Sequence, residues 1–340
     1  MSKVLKVCHD RILPAEIHRP LRSVELPGRV RAVLPDVRKL WINGSTLRVR
    51  FMGGTATQKK TANEQALWWT EQAKANLKFD FNDAQAAEIR IAFNPNDGAW
   101  SYIGTDCSKI PRDQPTMNLG FLDGGTAAHE FGHAIGLGHE HQNPAGGIEW
   151  NEAVVIRDLS GPPNNWDPET IRQNVLEKYS GNHLRGTTFD SNSIMLYFFP
   201  DTWVKSGEGT KANGVLSEMD KAFIAGRDAY PSTEVQASTL RVNASKATKA
   251  SIGKPGEEDL FEFTVQDPGR HVIKTGGQTD VVMKLFGPGS QTNLIAEDDD
   301  GGEGFNARIA VDLIVGVYIV QIRHYNRQSG TGEYTVRVTR

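Results

Sequence analysis

The chain has 340 residues, enough for two domains with sizeable cores, and its net charge of −3 speaks against nucleic acid or an acidic membrane surface as a partner. Its 34 glycines fit turn-rich β structure, and no apolar run reaches the length of a membrane span. Two cysteines, Cys8 and Cys107, allow one disulfide or two free thiols.

Residues 1–38 carry Pro14, Pro20, Pro27 and Pro35 without sustained periodicity, which reads as an extended leader or pro-segment. The opening MSKVLKVCHDRILPAEIHRP lacks the apolar core of a signal peptide. Cys8 lies in this stretch. Its plain readings are a surface thiol or a bridge to Cys107. A first folded domain is expected to begin near Lys39-Leu40-Trp41 and to run to residue 231. Thr46 to Met52 alternates apolar and polar, as a half-buried strand does. Ala62, Ala66, Trp69, Ala73 and Leu77 give Thr61 to Leu77 the spacing of an amphipathic helix. Glu88 to Phe93, Ala99 to Thr105 and Thr116 to Phe121 are further candidate strands.

Thr126 to Asn143 reads TAAHEFGHAIGLGHEHQN, with four of the chain's nine histidines. On a helix, His129 and His133 lie one turn apart on one face and can grip one zinc ion. Glu130 then stands beside the metal as candidate general base. Gly136 offers the positive φ that ends such a helix, and His139 returns as a third nitrogen ligand. Three ligands leave a tetrahedral position for water, the mark of a catalytic rather than a structural zinc site. A polar helix with surface histidines is the competing reading, and Phe131, Ala134, Ile135 and Leu137 oppose it. His141 lies two residues past a site already filled and is not expected to be a ligand.

The stretch HEFGHAIGLGHEHQNP resembles the metzincin metalloproteases, and most of all their astacin branch, with Glu140 directly after the third histidine and Pro144 soon after. The resemblance implies a Met-turn downstream, and Ser193-Ile194-Met195-Leu196-Tyr197 is similar to it. It implies that Met195 underlies the zinc site and that Tyr197 supplies a hydroxyl that touches the metal or steadies the transition state. Leu196 stands where astacins usually have His. It implies an edge strand within 99–121 that holds peptide substrate by main-chain pairing. It implies that Glu140 receives the new N-terminal ammonium after a cut near residues 30–40. A solvated acid, or one orienting a neighbouring histidine, are the alternatives for Glu140. A thiolate is a strong zinc ligand and cysteine switches occur among metzincins, so Cys8 is a candidate latency switch; secretion is usual for the family, so secretion is the expectation here. Typical astacins carry more cysteines, which makes this chain look closer to bacterial relatives.

Asn143 to Asn165 is rich in Pro, Gly and Asn and reads as loop, with a short helix near Glu152 to Arg157. Pro168 to Tyr179 has helical spacing, and Ser217 with Asp220 resembles a capping box opening a last helix before Pro231. Residues 232–240 read as a linker. Beyond it, Leu260–Val265, His271–Lys274, Val281–Phe286, Ala307–Leu313, Tyr318–Arg323 and Tyr334–Val338 recur as strands of an all-β sandwich over 241–340. This part resembles the bacterial pre-peptidase C-terminal domain in Phe261-Glu262-Phe263, Asp298-Asp299-Asp300-Gly301-Gly302, Gly316-Val317-Tyr318 and Gly332-Glu333-Tyr334. Asp298, Asp299 and Asp300 are candidate calcium ligands by their hard oxygens, or simply an acidic turn.

The expected fold is α+β: a metzincin-type zincin domain, a twisted mixed sheet plus zinc helix, followed by a β-sandwich. The expected function is zinc-dependent endopeptidase, made as a latent precursor and acting on proteins or peptides. The competing class is a zincin that has lost catalysis and binds through its C-terminal module. Intact Glu130 and Tyr197 argue against it.

Overall fold

The computed structural model describes residues 9–11, 31–34, 39–161, 165–179, 185–226, 229–231, 237–326 and 329–340. Cys8 and most of the stretch read as a linker lie outside them. The chain divides into two compact units, Met1–Trp41 with Thr46–Ser232, and Ile42–Ser45 with Thr233–Arg340.

In the first unit the strands are β1 (His9–Arg11), β2 (Arg31–Leu34), β3 (Thr46–Phe51), β4 (Lys78–Asp80), β5 (Ile89–Ala92), β6 (Ala99–Tyr102), β7 (Met117–Leu119) and β8 (Arg185–Thr187). Six of them form one mixed sheet in the order β1-β6-β7-β5-β3-β4. Only the β6–β7 pairing is antiparallel. Residues 1–38 contribute β1, which runs parallel to β6 with His9 opposite Trp100 and Arg11 opposite Tyr102. It also contributes β2, paired antiparallel with β8.

The helices are α1 (Ala56–Leu67), α2 (Thr126–Ala134), α3 (Glu152–Ser160), α4 (Pro168–Ile171) and α5 (Glu218–Ile224). Helix α1 starts five residues before the expected Thr61, because Thr55 and Gln58 form a reciprocal capping box there. It ends sooner too, in one wider turn over Trp68–Gln72. The apolar face is nonetheless the expected one: Ala62, Ala66, Trp69, Ala73 and Leu77 are all buried.

Helix α2 is buried over nearly its whole length, and every unmet backbone group at its ends requires a partner. At the N-terminus the buried Gln65 of α1 supplies one. Its Oε1 accepts from the Ala128 N–H at 3.1 Å and its Nε2 donates to the Gly124 carbonyl at 2.7 Å. At the C-terminus Gly136 takes φ +107°, and two bonds close the end, Gly136 N–H to the His133 carbonyl and Leu137 N–H to the Gly132 carbonyl. The last carbonyls are met from afar. Trp41 Nε1 donates to Ala134 O at 2.9 Å, and the Tyr230 hydroxyl donates to Ile135 O at 2.7 Å while accepting from the Trp41 N–H at 3.1 Å.

The second unit is a β-sandwich of β9 (Ser238–Thr239), β10 (Thr248–Ile252), β11 (Glu258–Val265), β12 (Gly269–Gly277), β13 (Val281–Phe286), β14 (Leu294–Asp298), β15 (Arg308–Leu313), β16 (Gly316–His324) and β17 (Gly332–Thr339). Its sheets have the orders β10-β17-β12-β15 and β14-β13-β16-β11-β9. Phe261, Phe263, Ile273, Met283, Leu285, Val320, Val336 and Val338 share the core between them. Ser238–Thr239, within the stretch read as a linker, is instead a short strand parallel to β11. Strands β10 and β14 carry weak apolar alternation and were not expected from sequence.

The Tyr230 hydroxyl meets two buried backbone groups at once, so Tyr230→Phe should cost about 1–3 kcal/mol of stability. A urea midpoint shifted accordingly, with the slope unchanged, is the expected result.

Candidate active site

The ends of α2 and the turn after it aim three imidazoles at one point. His133 Nε2 lies 3.0 Å from His129 Nε2 and 3.1 Å from His139 Nε2, and all three residues are buried. Their other ring nitrogens fix the tautomers. His129 Nδ1 is 2.7 Å from the Ile194 carbonyl and His133 Nδ1 is 2.8 Å from the Leu137 carbonyl. A carbonyl only accepts, so both Nδ1 atoms carry the proton and both Nε2 atoms present a lone pair inward. Burial first, and the neighbouring rings second, hold His129 and His139 well below the ordinary imidazole pKa. Neutral rings with convergent lone pairs repel one another unless a cation joins them. Tetrahedral zinc at about 2.0–2.1 Å from each nitrogen would set the nitrogens about 3.3 Å apart, close to what is seen. Among the described residues this is the single group of three or more His, Cys, Asp or Glu side chains close enough to share an ion.

The elements around the cluster are packed to hold it. Met195 lies beneath α2 at Gly132, where an added Cβ would fall 2.5 Å from the Met195 sulfur and 2.9 Å from the Trp69 ring. Only glycine admits so close an approach. The third histidine is set by its backbone: His139 N–H donates to the Tyr179 hydroxyl at 3.1 Å, and Glu140 N–H donates to the Met195 carbonyl at 2.9 Å. The Tyr197 hydroxyl hydrogen-bonds His139 Nε2 and so reaches the same point. Glu130, fully buried, lines a cavity with His129 and Tyr197.

His141 stands behind this arrangement, not in it. Its Nε2 donates to the Asn174 carbonyl at 3.0 Å, and its ring lies 5.1 Å from His139, 5.4 Å from Tyr197 and 4.9 Å from Phe199. Burial pulls its pKa down to about 3, so it packs as a neutral aromatic ring. Glu140 is buried, which disposes of a solvated acid. Its Oε1 accepts from Asn143 Nδ2 at 3.0 Å and from the Asp190 N–H at 2.8 Å, yet burial still pushes its carboxyl up to about 8. Cys107 is a buried free thiol whose pKa burial raises. In the second unit, Asp298 Oδ2 accepts from the N–H groups of Gly301 and Arg308 at 2.9 and 2.7 Å, and Asp299 Oδ1 accepts from the Asp300 N–H at 3.0 Å. These bonds close an acidic turn.

The peptidase family described as Astacin matches residues 34–208. The chain belongs to the astacin family. It is accordingly a zinc metalloendopeptidase, and its substrates are proteins or peptides. It is similar to Astacin-like metalloprotease toxin 5 of Loxosceles gaucho, 28 % identical over 155 residues that cover 42 % of this chain and 76 % of the toxin. It is similar in structure to myroilysin, with a TM-score of 0.54 and 34 % identity over 58 % of this chain and 99 % of that one. A pre-peptidase C-terminal domain of a collagenase from Bacillus anthracis is 18 % identical over 31 % of this chain and 97 % of its own, at a TM-score of 0.28. That likeness adds nothing to the sandwich already given by strand pairing. Among the described residues no helix is long and apolar enough to cross a membrane.

Two contributors to this astacin site were not legible in the motif. One is Tyr179. The other is Asp220, which sequence showed only as a helix cap. Its carboxylate also accepts from Ser193 Oγ at 2.7 Å and from the Ile194 N–H at 2.9 Å, in addition to the Ser217 N–H at 3.0 Å. Because the Ile194 carbonyl accepts from His129, Asp220 is two bonds from that ring. Asp220→Ala should weaken zinc binding about 10–100-fold, the usual effect of removing such a support. Competition against a chromophoric chelator measures it.

Proposed function

We propose that His129, His133 and His139 hold the zinc ion, that Glu130 is the general base, and that Tyr197 stabilises the oxyanion. The convergence of three Nε2 atoms with the Tyr197 hydroxyl, beside a cavity lined by Glu130, carries this reading. Zinc, when bound, supplies a Lewis acid that acidifies water and polarises the scissile carbonyl. Glu130 takes a proton from the attacking water and hands it to the leaving amine. Tyr197 donates a hydrogen bond to the carbonyl oxygen as negative charge develops there. Met195, beneath Gly132, keeps the helix that bears the base from shifting.

The full chain is a latent precursor in this reading. Two features support it. Strand β1 of the leader runs along β6, the edge where a peptide substrate would pair by main-chain bonds. Strand β2 lies beside the turn Glu140–Gln142, so a cut just after it would free an ammonium near the buried Glu140. A carboxyl whose pKa burial lifts to about 8 gains from such a cation. Cys8 remains the candidate switch on chemical grounds and lies outside the described residues. A protease made with its own inhibitor suits secretion, and so does the relation to a protein named as a toxin.

Glu130→Gln should bind zinc normally and lose nearly all peptidase activity, whereas Tyr197→Phe should lower kcat about 10–1,000-fold with little change in zinc content. Metal analysis beside a casein digest checks both, and near-normal cleavage by Glu130→Gln removes the assigned base. Latency is tested by limited cleavage of the leader and by Cys8→Ala. Cleavage is expected to raise activity toward one peptide substrate, and equal activity before and after would end that reading. Cys8→Ala should be active uncut if the thiol is the switch.

A further inference from the structure

The Tyr197 hydroxyl reaches the three-histidine point at the end of a long, rigid side chain. A phenol swings on only two side-chain torsions, so a small rotation of the backbone at its root becomes a large displacement at its oxygen. The ring packs against His129 and His139, with centroids 5.0 and 4.5 Å away. Where the hydroxyl stands then depends on how firmly the backbone of residues 197–199 is held.

It is held from a segment that belongs neither to the histidine motif nor to the Met-turn. Residues 209–213 are tied to residues 191–199 at both ends. At one end Asn213 Nδ2 donates to the carbonyls of Ser191 and Ser193 at 3.0 and 2.9 Å. At the other, Thr210 makes three bonds. Its Oγ1 donates to the Tyr197 carbonyl and accepts from the Phe199 N–H at 2.7 Å, and its own N–H donates to the Phe199 carbonyl at 3.0 Å. One hydroxyl thus fixes both peptide planes that flank Phe198. The approach is close: a Cβ added at Gly209 would collide with the Phe199 carbonyl oxygen and lie 2.9 Å from the Asp201 nitrogen. The Gly209 N–H in turn donates to Asp201 Oδ1 at 2.8 Å. Phe199 is fully buried, its ring 4.8 Å from Trp150 and 5.9 Å from Trp203, whereas Phe198 is 48 % exposed. Thr210 therefore spans an exposed residue that separates Tyr197 from its buried anchor.

We infer that Thr210 is a positioning residue for the reaction: its hydroxyl holds the Tyr197 peptide so that the phenol stays at the point where the three imidazoles converge. The inference rests on the role proposed for Tyr197 and deepens it by naming the group that sets its position. A hydroxyl is required, because the site needs one atom that both donates and accepts. Serine meets that need. Valine has the shape of threonine without the hydroxyl and does not. A misplacement of about 1 Å at the reacting centre, caused from outside it, can cost about 100-fold in rate.

The test is a double-mutant cycle on one peptide substrate, with the zinc-loaded full chain assayed before and after limited cleavage within residues 1–38. Thr210→Val should lower kcat about 10–100-fold, with KM and zinc content near those of the parent. Thr210→Ser should restore kcat. In a Tyr197→Phe background Thr210→Val should cost nothing further, since the group it positions is gone. A crystal structure of Thr210→Val should show the Tyr197 hydroxyl displaced from His139 Nε2. If the valine variant does not fold, Thr210→Ala takes its place with the same expectations. Independent losses that multiply in the double variant overturn the inference. So do an unchanged kcat in Thr210→Val, a loss of activity matched by loss of zinc, or a serine variant as slow as the valine one. An unchanged kcat in Tyr197→Phe, with the hydroxyl displaced in the Thr210→Val structure, would instead count against the catalytic role of Tyr197 alone.

Discussion

Three imidazoles buried together, with His133 Nε2 3.0 and 3.1 Å from the Nε2 atoms of His129 and His139, are unstable company without a cation. That constraint organises the first unit. The lone pairs point inward because carbonyls of Ile194 and Leu137 claim the opposite ring protons. A histidine free to choose its tautomer would bind metal more weakly, since part of its population would offer a proton instead of an electron pair. With these histidines as the proposed ligands, the fold sets metal affinity largely through backbone positions. The catalytic unit can be viewed as a device for holding two peptide carbonyls still.

How it holds them explains the density of long-range bonds around a nine-residue helix. The Ile194 peptide is gripped from both sides, by Asp220 at its N–H and His129 at its carbonyl. Ser193, on the same carboxylate, donates to it and accepts from the Met195 N–H at 3.0 Å. The Met195 carbonyl in turn fixes Glu140, the neighbour of the third histidine. The turn, the helix that follows it and the metal-bearing helix are thus one hydrogen-bonded network. Such networks cost much when partly broken and specify one geometry when complete.

Much of this was legible from residues alone, and for definite reasons. The histidine spacing is a statement about helical geometry, and the observed nitrogens converge as that spacing requires. The end of α2 was readable because Gly136 adopts the positive φ that a closing turn demands. The sandwich strands β11, β12, β13, β15, β16 and β17 were legible from alternation. Other features left no local signature. The start of α1 depends on Thr55 and Gln58, a weaker pattern than the apolar face that masked it. Asp220 looked like a simple helix cap because its second task lies 26 residues away in sequence. Tyr179 and Gln65 work through side-chain bonds to distant backbone groups, and no periodicity announces such bonds. Asp298 shows another limit of sequence: three adjacent acids suggest a cation but do not reveal that the first of them accepts from two backbone amides.

The far end of α2 also bears on how the protein is made. Trp41 and Tyr230 meet across 189 positions of chain, and together they satisfy the last carbonyls of that helix. During synthesis the first partner emerges early and the second only when the catalytic unit is nearly complete. The metal-bearing helix is therefore left open-ended until late in translation. At least 110 further residues, 340 less 230, must still be added. At about 5–20 residues per second that allows the nascent unit roughly 5–20 s to settle while still tethered to the ribosome. The C-terminal sandwich, whatever else it does, gives its neighbour time.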